Sequence, residues 1–190
     1  ILEAAQIFGG KGSACQGGTG YSRFSADGGT FRLNVNPSTY CALSGLDCAE
    51  FGSKGLTFDS NGFDVKIEQD LVNKEGKDGL FVKTGAGTLT YSGDCSVSKL
   101  VVSNGTWLFA ANATCSSALT VAPGAELSFV GASTCVEVSA FSLENATLSL
   151  DPGDQIVVDG DAVVRDLTLR FSAPLTKNDT QTVFVVKGTL

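Results

Sequence analysis

Three cysteines set a period. Cys95, Cys115 and Cys135 stand 20 residues apart, and the apolar pairs around them keep nearly the same step. Trp107 and Phe109 return 20 residues on as Leu127 and Phe129; Leu148 and Leu150 follow after 21, and Leu167 and Leu169 after 19. Each pair brackets one residue (Leu108, Ser128, Ser149 or Thr168), the period-2 pattern of a strand with one buried face. Turn chemistry precedes the first three pairs: Asn104-Gly105, Pro123-Gly124 and Glu144-Asn145. A fixed step near 20 with a strand and a turn in each unit predicts an all-β parallel β-helix, a β-solenoid whose coils stack about 4.8 Å apart. A β-sandwich or jelly roll, with strands every 8–12 residues or so, is the alternative.

The first half repeats less regularly. Phe31, Leu33 and Val35 alternate with Arg32 and Asn34, and Phe63, Val65 and Ile67 alternate with Asp64 and Lys66 after the turn dipeptide Asn61-Gly62. Gly9 to Gly20 reads as a loop or cap, and residues 36–54 as an insertion. The chain therefore divides into an irregular N-terminal cap over 1–54 and a β-helix over 55–190, one continuous solenoid unit overall. Only residues 67–74 offer a brief helix.

Composition narrows the function. The chain has 190 residues with 13 Lys+Arg against 20 Asp+Glu, a net charge of −7. An acidic chain without a basic run is a poor binder of nucleic acid, because phosphates must be neutralised by clustered Lys and Arg. No apolar run approaches the roughly 20 residues of a membrane-spanning helix. Histidine is missing, which removes Ser-His-Asp and Cys-His catalysis. Methionine is missing too, even at position 1, as expected of a processed chain or an excised piece.

Six cysteines without histidine and without a Cys-x-x-Cys pair point to disulfides rather than zinc. Cys41 and Cys48 are seven residues apart and are expected to pair. In the 20-residue column we expect Cys115 with Cys135, which closes one clean coil. Cys95 is left for Cys15, pinning the cap to the first regular coil. Such loops stabilise a chain by about 3 kcal/mol or somewhat more in the chain-entropy picture.

Residues 79–93 read Gly-Leu-Phe-Val-Lys-Thr-Gly-Ala-Gly-Thr-Leu-Thr-Tyr-Ser-Gly. This segment resembles the passenger-associated repeat of bacterial autotransporters in Gly79, Lys83, Gly85, Gly87, Thr88, Leu89 and Gly93, and residues 56–65 are similar to the stretch that leads into it. The resemblance implies a right-handed parallel β-helix, exported by bacteria and extracellular or displayed at the cell surface. It implies no reaction. Six cysteines depart from the family, whose passengers are usually poor in them, and leave export by another route open. Physically, Gly85 and Gly87 suit a corner of positive φ or close approach. Leu89 and Tyr91 should point inward with Thr88, Thr90 and Ser92 outward, and Lys83 and Lys99 read as exposed strand residues.

The strongest candidates for other chemistry are acidic. Asp154, Asp159 and Asp161 lie in an Asp/Gly-rich stretch that could ligate Ca²⁺, though turn formation alone explains such residues. Arg165 and Arg170 near Asp159 and Asp161 would imitate a carbohydrate-active face. Sequons at Asn104, Asn112, Asn145 and Asn178 read mainly as turn composition. The expectation is a non-enzymatic structural or adhesive surface protein without cofactor, taking a host or matrix glycan or protein as ligand. The alternatives are a self-assembling filament or matrix subunit, associating through solenoid ends such as the apolar strand 182–190, and a polysaccharide-binding or -cleaving β-helix.

Overall fold

The computed structural model describes residues 1–4, 6–8, 21–35, 41–110, 113–131, 134–174 and 180–190. The chain winds into a parallel β-solenoid of about seven turns, with rungs of roughly 21 residues. One eight-stranded sheet runs through Leu2–Ala4, Thr30–Leu33, Leu56–Asp59, Leu80–Thr84, Lys99–Val102, Ala118–Val121, Ala140–Glu144 and Ala162–Arg165. A second takes Ile7–Phe8, Cys41–Ser44, Val65–Ile67, Thr88–Tyr91, Thr106–Ala110, Glu126–Val130, Thr147–Leu150 and Thr168–Phe171. The third face is broken into three short sheets, among them Asp94–Cys95 with Thr114–Cys115, and Cys135–Val138 with Gln155–Val158 and Phe184–Val186. Among the described residues there is no helix, and residues 67–74 turn and enter the short strand Val72–Asn73.

The alternation seen in the sequence becomes columns. On the inner side of the first sheet Leu56, Phe81, Leu100, Leu119, Phe141 and Ala162 are register partners in succession. Leu89, Trp107, Leu127 and Leu148 form the matching buried column of the second sheet, which ends at the partly exposed Leu169. Strands buried on one face bring these side chains together without water, at about 25 cal/mol per Å² of apolar surface removed. Aromatic rings run through the middle: Phe31 meets Phe58 at 5.5 Å, Phe81 meets Trp107 at 6.1 Å, and Trp107 meets Tyr91 at 5.0 Å between centroids.

Three expectations shift. The fourth apolar pair is Leu169 and Phe171, which register with Leu148 and Leu150, not Leu167 and Leu169; the rung is 21 residues there. The winding also reaches back into the segment expected to be an irregular cap, since Leu2–Ala4, Thr30–Leu33 and Cys41–Ser44 already belong to the two long sheets. Cys135 leaves the cysteine column. It opens its strand exposed, with Val136 buried behind it, whereas Cys115 is buried. One extra residue in the preceding corner flips every side chain of a strand to the other face.

Candidate functional site: the Lys83 corner and the outer strip

The corner after Leu80–Thr84 gathers the motif residues. Gly85 and Gly87 both take positive φ, 78° and 95°. A Cβ on Gly85 would lie 2.4 Å from Asp59 Oδ1, and one on Gly87 would lie 2.5 Å from the Phe63 carbonyl. Glycine is required there for conformation and for space together. Leu89 and Tyr91 are fully buried, and Thr88 and Thr90 stand outward, as expected.

Lys83 is a correction. It is not an exposed strand residue but lies in an inward column, between Phe58 on one rung and Val102 on the next, with no solvent exposure. Its side chain runs along the apolar interior until Nζ reaches the corner. There the ammonium donates to the carbonyls of Gly85 at 2.5 Å, Asn104 at 2.9 Å and Thr84 at 3.2 Å, and lies 3.3 Å from Ser60 Oγ. Ser60, itself buried, donates its hydroxyl to the Ala86 carbonyl at 2.7 Å. Three consecutive rungs thus share one cation. Burial lowers the Lys83 ammonium to about 8, against the pull of Asp59 and Asp64.

The aspartates and asparagines of other corners tie rung to rung in the same way. Asp64 Oδ1 accepts from Thr88 N at 2.7 Å, Asp70 Oδ1 from Asp94 N at 3.0 Å, and Asn73 Oδ1 from Ser98 N at 2.8 Å. The proposed calcium residues do likewise. Asp154 is buried and accepts from Thr134 N and Asp151 N, both at 2.7 Å, and burial raises its carboxyl above the usual range. Asp159 pairs with Lys187 Nζ at 2.6 Å, and Asp161 Oδ1 accepts from Thr189 N at 2.8 Å. Among the described residues no three acidic, cysteine or histidine groups converge for a metal. Asp154 and Asp161 satisfy backbone donors instead, and Asp159 satisfies a lysine.

The acidic and basic candidates are spread over separate grooves. Arg170 lies with Asp151 and Phe171 in a groove of about 250 Å³, while Asp159 lies with Glu137 in another of about 360 Å³. Arg165 shares neither. Of the sequons, Asn104 and Asn145 are exposed on turns, with Asn145 at φ 46°, whereas Asn112 and Asn178 lie outside the described residues.

The expected disulfides are not formed among the described residues: Cys41, Cys48, Cys95, Cys115 and Cys135 are free thiols. Cys41 sits beside Glu68, and burial with that neighbour pushes its thiol up to about 11. Cys48 instead meets the Tyr21 hydroxyl. Cys135 shares the 360 Å³ groove with Cys115 but not its column. Cys15, the expected partner of Cys95, lies outside the described residues.

The outer side of the first sheet was not singled out by sequence. Thr30, Thr57, Val82, Val101, Thr120, Ser142 and Val163 are successive register partners pointing outward. All seven are uncharged, six of them β-branched. The signal was present in the alternation between buried positions, but it appears as one strip only once the register is known. Neither a family model, nor a curated protein, nor a solved structure matches this chain.

Proposed function

We propose that this chain is a non-enzymatic structural and adhesive element of the bacterial cell surface, built on the passenger-type β-helix repeat that residues 79–93 resemble. The observation that carries the reading is the outward column from Thr30 to Val163, seven uncharged residues in unbroken register. Its backbone is held by parallel ladders and its β-branched side chains have little rotamer freedom, so contact with an extended partner costs little ordering entropy. The steady spacing of about 4.8 Å suits a polymeric ligand, a matrix glycan or protein, that meets several rungs at once. The Lys83 corner serves this role from inside by fixing the rungs that present the strip.

Arrays of matrix proteins and glycans probed with the chain test the reading. Val101→Glu and Thr120→Glu, which place charge on the strip without entering the core, should abolish capture while leaving the melting temperature within a few degrees. Equal capture by the variants would sink it, as would capture of no ligand by the parent chain.

A second reading, self-assembly, is favoured by Leu169 and Val185, 40% and 38% exposed on the last strands of their sheets. Light scattering of the purified chain separates the two, since a strictly monomeric species at high concentration argues against assembly.

A further inference from the structure

Cys95 and Cys115 stand in register on adjacent parallel strands, Asp94–Cys95 and Thr114–Cys115. Register partners in a parallel pair lie about 4.8 Å apart, inside the 4.4–6.8 Å or so over which two Cα atoms can carry a disulfide. Both side chains point inward, at 1% and 3% exposure, so neither needs to turn its Cβ to face the other. Leu71 continues the column on the rung before, bridging to Cys95, and fixes the strand that carries it. Cys115 also lines the 360 Å³ groove, together with Thr114, Ser116 and Glu137, so a small reagent meets this member of the pair first.

From this geometry we infer that Cys95 and Cys115 form a cross-rung disulfide when the protein meets a small-molecule disulfide. The Cys115 thiolate, approached through the groove, attacks one sulfur of the reagent. Its S–S bond breaks, and one thiolate leaves with the electron pair. Cys95 then gives up its proton and attacks Cys115 Sγ, expelling the second thiolate. Two protein thiols are oxidised, and one reagent disulfide is reduced to two thiols. The order of attack follows from access, since Cys115 lines the groove and Cys95 does not. The two neighbouring thiols also shift in opposite directions, each chiefly through the other, Cys115 down and Cys95 up. Ser117 Oγ, 3.5 Å from Cys95 Sγ, supports the inner thiol.

The bond would clamp two successive rungs on the third face, where strands are only two residues long and the sheet is broken. It differs from a Cys115–Cys135 link, which would have to join a buried to an exposed position across strands that do not share a register.

The test is to refold the full chain in mixtures of reduced and oxidised glutathione, alkylate the remaining thiols, and map the linked peptides. Trypsin with a glutamyl endopeptidase cuts at Lys99 and Glu126 and so places Cys95, Cys115 and Cys135 on separate peptides. The expected result is a peptide joining Cys95 to Cys115 as the main product, with loss of alkylation at both. Cys135→Ser should leave this link intact, and Cys115→Ser should abolish it and return Cys95 to full alkylation. A main link from Cys115 to Cys135 would overturn the assignment. So would complete alkylation of Cys95 and Cys115 after refolding, since the reagent then had access to both thiols before they were buried.

Discussion

Lys83 is the register partner of Phe58, so a lysine occupies an inward position directly beside an aromatic ring of the preceding rung. A buried ammonium is costly unless donors and acceptors match. Here the surrounding acceptors are corner carbonyls left over where two strands of the same coil change direction, and the cation satisfies carbonyls of Thr84, Gly85 and Asn104 together. The same contact stabilises the charge and closes the corner.

Lys83→Met keeps the aliphatic stem and removes the cation. The carbonyls of Gly85 and Asn104 then lose a partner in a place shut off from water. A loss of on the order of 3 kcal/mol is expected in urea denaturation. A change below about 0.5 kcal/mol would show that the corner holds without the amine.

Lys83 also predicts a pH dependence. Its folded-state value of about 8 lies below the ordinary 10.5, so between those limits the unfolded chain binds the proton that the folded chain has lost. Stability contributed by this group therefore rises with pH from about 8 to 10.5 and is level below 8, where both states are protonated. Comparing wild type with Lys83→Met across that window isolates it. The wild-type denaturation midpoint should gain on the variant as pH rises; a difference that is flat or falling would contradict the burial of the amine.

Two glycines with nearly equal φ separate strain from space. Gly105 at 70° has the carbonyls of Gly85 and Gly87 within 2.6 Å of where a Cβ would be, whereas Gly124 at 79° has nothing within 4 Å. Gly124→Ala should cost only the left-handed conformation, about 1 kcal/mol. Gly105→Ala must also displace the Lys83 corner, and a loss of at least about 2 kcal/mol is expected. Equal thermal shifts for the two would mean that the corner yields freely.

Trp107 is fully buried, and its indole Nε1 has no hydrogen-bond partner among the described residues. Trp107→Phe should therefore cost less than about 1.5 kcal/mol, since it removes an unmatched donor along with some volume. Trp107→Ala should cost about 3–5 kcal/mol through the cavity between Tyr91, Phe81 and Leu127. A larger loss for phenylalanine than for alanine would show that the indole N–H is engaged.

Asp154 uses both carboxylate oxygens on backbone donors of Thr134 and Asp151. Asp154→Asn turns one acceptor into a donor facing an N–H, and a loss of about 1–2 kcal/mol is expected by thermal unfolding. Millimolar Ca²⁺ should leave the wild-type midpoint unmoved. A rise of several degrees on adding Ca²⁺ would restore the metal reading of this stretch.

Local alternation and a step near 20 residues were enough to fix the solenoid, because stacked parallel strands demand that like residues recur once per coil. Trp107, Leu127 and Leu148 follow each other in the interior as that step requires. The glycines at 85 and 87 were legible for the same reason: a corner that tight admits no Cβ. The facing of particular residues was decided by the register, which depends on the length of every corner. Cys135 keeps the 20-residue step yet points outward, because the rung there holds 21 residues and a strand reverses its faces with each residue gained. Lys83 alternates with Phe81 and so shares its inward face, but its charge reads as exposed until the carbonyls of Gly85 and Asn104 are brought around it from two rungs. The pairing of Cys95 with Cys115 and the uncharged strip from Thr30 to Val163 are likewise properties of stacking, since their members meet only across coils. Sequence sets what repeats; the length of each corner sets what it meets.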